Sequence, residues 1–280
     1  MLKQRLMTGS VLGILTVSVV LWLPSMVLAA LLLVVILIAG WEWAKLVGLS
    51  RSIARMTFVL VLGIGAGGLW YVSTTQQARW AVMAIAGLWW LAVLVVLAVS
   101  QPTSPASRIR RGAGRYGLWV AAGFTLIPAW LALFMLHEIR PELLLFLLLI
   151  VWGADSMAFF TGKTFGRTKL APALSPGKTR EGLWGALVAT LVLGVIGALW
   201  LELPALVAVY FTGLCLVTAL FSVVGDLFES LLKRQAGVKD SGSLLPGHGG
   251  VLDRIDSLAA AAPVFVLGLY WINWPEYLSS

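Results

Sequence analysis

Charge is what this sequence has least of. Asp, Glu, Lys and Arg together make up only 11% of 280 residues, against about 25% in a typical soluble domain. A soluble body of this length needs a charged surface, so that class is excluded. Disorder is excluded as well, because residues of the set AVILMFWYC reach 60% and disordered chains are poor in them. A single cysteine, Cys215, rules out a disulfide framework and a cysteine-built zinc site. Histidine occurs twice, at His137 and His248, without an HExxH pattern or a serine–histidine triad signal. No aspartate precedes Asp155, so carboxylate chemistry is expected in the second half of the chain.

What the sequence has is long apolar runs. A helix crossing a hydrocarbon core needs roughly 20 apolar residues. About nine such runs lie near 7–23, 25–44, 56–73, 80–99, 117–136, 142–162, 182–201, 203–225 and 255–274. The expected fold is an all-α integral membrane protein of about nine transmembrane helices. Eighteen of the twenty Lys and Arg residues fall in the N-terminus and the even-numbered connections, and only Arg79 and Arg140 fall on the other side. Positive charge is retained in the cytoplasm. The N-terminus is therefore expected inside, the C-terminus outside, and the protein in the cell inner membrane. The net charge of +8 points to topology and to anionic lipid or substrate, not to nucleic acid. Residues 1–280 read as one membrane domain. Within it, 1–140 is expected to be a scaffold with dimer contacts, and 141–280 to carry catalysis.

Two long connections, 163–181 and 226–254, share the basic side. The second holds Asp226, Ser230, Lys233, Arg234, Lys239 and Asp240, then His248, Gly249, Gly250, Asp253, Arg254 and Asp256. If the preceding helix continues, Asp226, Ser230 and Lys233 fall on one face. Two carboxylate stations around a glycine-rich turn and several cations suit magnesium and phosphate, since magnesium takes one or two carboxylates and completes its shell with water and phosphate. Lys and Arg neutralise phosphate oxygens, and glycines allow close backbone approach. The plainer alternative is that Asp253 and Asp256 stabilise a helix start. A second cluster centres on Asp155, inside an apolar run where a charge costs roughly 2.5–3.5 kcal/mol. The connection after it offers Ser175, Lys178, Thr179 and Arg180. Gly162-Lys163-Thr164 and Gly177-Lys178-Thr179 fail as Walker A loops, because the first glycine would fall at Met157 or Pro172.

The stretch from Ser230 to Asp256 resembles the signature of the phosphatidate cytidylyltransferase (CDP-diacylglycerol synthase) family. The matching positions are Ser230, Lys233, Arg234, Lys239, Asp240, Gly242, Pro246, His248, Gly249, Gly250, Asp253, Arg254 and Asp256. The segments 175–182 and 152–158 are similar too, and Trp41-Glu42-Trp43 is weakly so. The resemblance implies a dimeric membrane enzyme that converts CTP and phosphatidate into CDP-diacylglycerol and pyrophosphate. It implies magnesium, and leaves room for potassium as a second cation. Carried over, Asp226, Asp253 and Asp256 would be metal ligands. Lys233, Arg234, Lys239, Asp240, His248 and Arg254 would complete the catalytic set. Asp155, Ser175, Lys178, Thr179, Arg180, Ser222, Ser230, Gly249 and Gly250 would bind substrates.

The chemistry is coherent on its own terms. A lipid phosphate is already a nucleophile at neutral pH, and the obstacle is repulsion from the nucleotide, which a metal and clustered cations reduce. Two rival readings are a CTP-dependent polyprenol-type lipid kinase and an ion-coupled transporter. The transporter predicts acids near the midplane of several helices and inverted repeats, whereas the acids here gather at one end of the helices.

Overall fold

The structure is a computed structural model that describes residues 13–99, 114–244 and 249–271, with only the backbone described at 114–116. Nine helices occur among the described residues, seven of them long and apolar enough to cross a membrane. They are α1 (Gly13–Trp22), α2 (Ser25–Leu46), α3 (Ser52–Val72), α4 (Gln76–Val99), α5 (Gly114–Ile139), α6 (Pro141–Phe165), α7 (Arg180–Trp200), α8 (Ala205–Ala236) and α9 (Leu252–Trp271). The fold is that of an all-α integral membrane protein. It carries one addition to the expected helices. Residues 163–181 are not a plain loop, because β1 (Lys169–Ala171) and β2 (Ser175–Thr179) pair antiparallel.

Local chemistry sets the boundaries. Pro24 and Pro204 stand just before α2 and α8, and Pro141 opens α6, positions where a missing N–H does no harm. Thr179 starts α7, its hydroxyl accepting from the Gly182 amide at 3.1 Å. Gly237 ends α8 in a left-handed conformation with φ of 71°, which glycine adopts without strain.

Helix α8 outlasts the apolar run at 203–225. Its 32 residues make about 48 Å at 1.5 Å per residue, well beyond a hydrocarbon core of about 30 Å. The turns from Asp226 to Ala236 therefore project past the apolar layer. Helix α9 is the hub, packed against α2, α4, α5, α6 and α8. Its run of Ala259, Ala260, Ala261 and Ala262 is fully buried, and small side chains let helices approach closely. Helices α8 and α9 approach closely at Gly225, where a Cβ would collide with the Asp256 carbonyl. Helices α3 and α7 each leave one side uncovered, with many exposed large apolar side chains, as lipid-facing helices do.

Candidate functional site

The charged residues of the second half meet where α8 leaves the apolar layer and α9 enters it. Asp226, Ser230 and Lys233 do share a face of α8, and the Ser230 hydroxyl donates to Asp226 at 3.3 Å. Phe228 points the other way, into Trp43, Trp89 and Trp90 with ring centroids 6.0, 6.1 and 5.9 Å away. Three tryptophans from α2 and α4 thus fix the rotation of α8 and aim its polar face at α9.

Two lysine–carboxylate pairs form the site. Lys178, on β2, places its ammonium 2.5 Å from Asp226. Lys233 donates to Glu229 at 2.5 Å and to Asp253 at 2.7 Å. The second oxygen of Asp253 accepts from the Ser241 amide at 3.0 Å, the Ser241 hydroxyl at 2.9 Å and the Gly250 amide at 2.8 Å. Asp253 is thereby tied to α8, to the connecting loop and to the start of its own helix. Asp256, one turn on, lies within electrostatic reach of Asp226, Glu229 and Lys233, and its carboxylate accepts from the Ser257 amide at 2.7 Å.

A cavity of about 380 Å³ adjoins this cluster, bounded by α6, α7, α8 and the β-hairpin. Asp155, Ser175, Lys178, Thr179 and Asp226 line it, with Ala158, Phe159 and Leu183 on its apolar side. Asp155 and Asp226 interact electrostatically and both face Lys178. Close packing of α6 on α7 shapes the cavity, since a Cβ on Gly182 would press on the Ala158 carbonyl at 2.8 Å. The guanidinium of Arg234 reaches from α8 to the Leu174 carbonyl at 3.2 Å and fastens the hairpin.

Most candidates of the second half therefore converge, with differences in detail. Ser222 does not reach the cavity. It is fully buried and its hydroxyl donates to the Ala219 carbonyl of its own helix at 2.8 Å. Lys239, Asp240, Arg180 and Arg254 are exposed around the rim. His248 lies outside the described residues, as do Pro246 and Gly247. Gly249 has a positive φ of 81°, which only glycine adopts readily, and Gly250 is buried against Ser241 and Glu42. Two carboxylates were not among the candidates. Glu229 is the second partner of Lys233, a Glu–Lys spacing of four residues that the sequence displays. Glu42, from α2, accepts from the Leu252 amide at 2.8 Å and lies 3.0 Å from the Ser241 hydroxyl, whose one proton is shared between Glu42 and Asp253.

The donor set suits a divalent cation that completes its shell on a substrate. No three acidic, histidine or cysteine side chains among the described residues converge into a closed cage. Magnesium needs only one or two carboxylates, and Asp226 faces Asp256 across the α8–α9 crossing. Buried Oε1 of Glu229, beside them, meets no protein N–H donor, and Asp256 lies close enough for the two carboxyls to share a proton or a cation. Asp253 differs, since both of its oxygens already accept from protein donors.

Known proteins are similar to the chain over nearly its whole length. A model described as the Cytidylyltransferase family matches residues 3–272. A protein of Pseudomonas aeruginosa named phosphatidate cytidylyltransferase is 38% identical over 285 residues, covering 98% of this chain and 99% of that protein. Proteins of the same name from Haemophilus influenzae and Brucella abortus are 36% and 35% identical, covering 95% and 100% of this chain and 97% of each relative.

Proposed function

The chain belongs to the cytidylyltransferase family, a family of nucleotidyltransferases, and on that premise we propose that it transfers CMP from CTP to phosphatidate. The products are CDP-diacylglycerol and pyrophosphate, and the process served is phospholipid biosynthesis. The observation that carries this reading is the pairing of Lys178 with Asp226 at the wall of a cavity that is polar on one side and apolar on the other. A lipid phosphate needs both: cations for the head and an apolar flank continuous with the bilayer for the tails.

In this reading Lys178 meets the phosphate of the lipid, with Asp155 and Asp226 holding its ammonium in the cavity. Lys233 offers its remaining N–H to the nucleotide phosphates, its other two being given to Glu229 and Asp253. Gly249 brings a backbone amide toward the same phosphates, while the Gly250 amide stays on Asp253. Arg180, Lys239 and Arg254, at the rim, concentrate both anions, and His248 helps to orient the nucleotide. Asp226 and Asp256 would hold magnesium, with Asp253 keeping the frame around them. Magnesium, when bound, draws charge from the nucleotide phosphates and from the departing pyrophosphate. Potassium, as a second cation, would share these carboxylates.

One oxygen of the lipid phosphate attacks the α-phosphorus of CTP, and the bond to the β-phosphate oxygen breaks with the electron pair leaving on pyrophosphate. No proton has to move first, so no side chain needs to act as a strong base. The residues contribute position and charge, which are the main terms in such transfers. The charged end of the helices is read as cytoplasmic, where CTP is found, in the inner membrane of a bacterium.

The test is direct. Full-length protein in mixed micelles receives cytosine-labelled CTP, magnesium and phosphatidate. The reading expects label in a nucleotidyl lipid with release of pyrophosphate. Label left wholly in water-soluble nucleotide would overturn it.

A further inference from the structure

One buried carboxylate beside the site comes from the half of the chain with no aspartate. Glu42 sits near the end of α2, 6% exposed. Nothing in its own helix explains a buried charge there, because its recorded hydrogen bonds run to residues 199 and 210 positions away. One goes to the amide of Leu252, the first residue of α9. The first amides of a helix lack partners within it, and a carboxylate is favoured there by the helix dipole. Glu42 therefore serves as an N-terminal cap supplied from another helix. Its other bond is to the Ser241 hydroxyl, which lies between Glu42 and Asp253 at 3.0 and 2.9 Å.

The surroundings are shaped to admit this carboxylate. A Cβ on Gly242 or on Gly250 would overlap the Glu42 carboxylate, and one on Gly250 would also overlap the Ser241 hydroxyl. Both glycines have φ values outside the left-handed region, so it is space, not backbone freedom, that requires them. The ring of Trp43, next in sequence, is buried against Phe228 of α8. One turn of α2 thus touches the helix of Asp226, the loop of Gly250 and the start of the helix of Asp253.

We propose that Glu42 is a positioning residue for the transfer reaction: through Ser241 and the Leu252 amide it holds Ser241 and the first turn of α9, and with them the Asp253–Lys233 pair, in the geometry the nucleotide phosphates require. The proposal rests on the function stated above. It makes α2 part of the site, although no Glu42 atom need touch a substrate.

The experiment measures steady-state CMP transfer by the full-length protein for wild type, Glu42→Gln, Glu42→Ala, Ser241→Ala and Glu42→Gln/Ser241→Ala. Thermal unfolding in detergent is followed in parallel. Gln keeps one acceptor for the Leu252 amide and loses the charge. The expected order of kcat is wild type, then Gln, then Ala, with Gln down about tenfold and KM for phosphatidate within about twofold, on the reasoning that an interaction made only in the transition state lowers kcat and kcat/KM together. The double variant is expected to be no worse than about twofold below the poorer single one, because both act along one chain of bonds. Should Glu42→Ala fail to fold, Gln and the double variant decide. Wild-type kcat in Glu42→Gln would overturn the proposal. So would losses that multiply fully in the double variant, which would mark Glu42 as a structural residue independent of Ser241. An inactive wild type would instead defeat the function, leaving a failure of Glu42 separately recognisable.

Discussion

The two lysine–carboxylate pairs are made of the same groups in different settings. Lys178 and Asp226 are 25% and 28% exposed in their side chains, and the lysine stands on a short β-hairpin. Lys233 and Asp253 are 13% and 7% exposed, both on long helices, with Glu229, Ser241 and Gly250 completing their bonds. An ion pair in water contributes little and exchanges partners easily. A buried pair resists exchange, because either charge left alone there is costly. The first pair is suited to open for an anion and a metal, and the second to hold the frame. The division explains why one site carries two lysines and at least four carboxylates.

Substituting one group in each pair separates these roles. Asp253→Asn should have the largest effect, because it leaves Lys233 half-paired and weakens three hydrogen bonds. We expect a loss of about 3 kcal/mol in stability together with turnover, read as a fall in unfolding temperature and in CMP transfer. Asp226→Asn should cost about a hundredfold in turnover, or about 2.7 kcal/mol of transition-state stabilisation, while stability changes by less than about 1 kcal/mol. If the two variants unfold alike, the contrast between frame and exchangeable pair is wrong. Lys178→Ala should lower kcat/KM for phosphatidate about tenfold, or about 1.4 kcal/mol, at unchanged unfolding temperature. Equal kcat/KM would remove Lys178 from the lipid phosphate. Asp240→Asn, exposed at the rim, should change turnover by less than about threefold, since isolated surface charges contribute little. A larger loss would bring Asp240 into the site.

Much of this was legible in the sequence because membrane composition makes polar residues conspicuous. Apolar runs give the helices, and the break at Leu23-Pro24 separates α1 from α2. Asp226, Ser230 and Lys233 are placed on one face by helical spacing alone. What was not legible came from long-range geometry. Glu42 lies 199 residues from Ser241, and the signals at hand were its place in an apolar run, as for other intramembrane acids, and the weak family resemblance of Trp41-Glu42-Trp43. The hairpin at 169–179 was hidden because its strands of three and five residues are too short to show alternation. Nor is it legible that Ser222 bonds within its own helix, a choice open to any helical serine and made here on Ala219. Which lysine meets which carboxylate depends on the rotation of α8, and that is set by Phe228 among three tryptophans.

In the proposed function these carboxylates and lysines carry magnesium-assisted transfer of CMP to a lipid phosphate. The most direct measurement is a magnesium titration of wild type and Asp226→Asn, with CTP labelled separately in the base and in the γ-phosphate, and with phosphatidate and a polyprenol offered together. The account predicts base label in CDP-diacylglycerol, γ-label in pyrophosphate, saturation with magnesium in the wild type and a lost or weakened magnesium dependence in Asp226→Asn. γ-Label on the polyprenol, or a magnesium dependence identical in the two proteins, would contradict it.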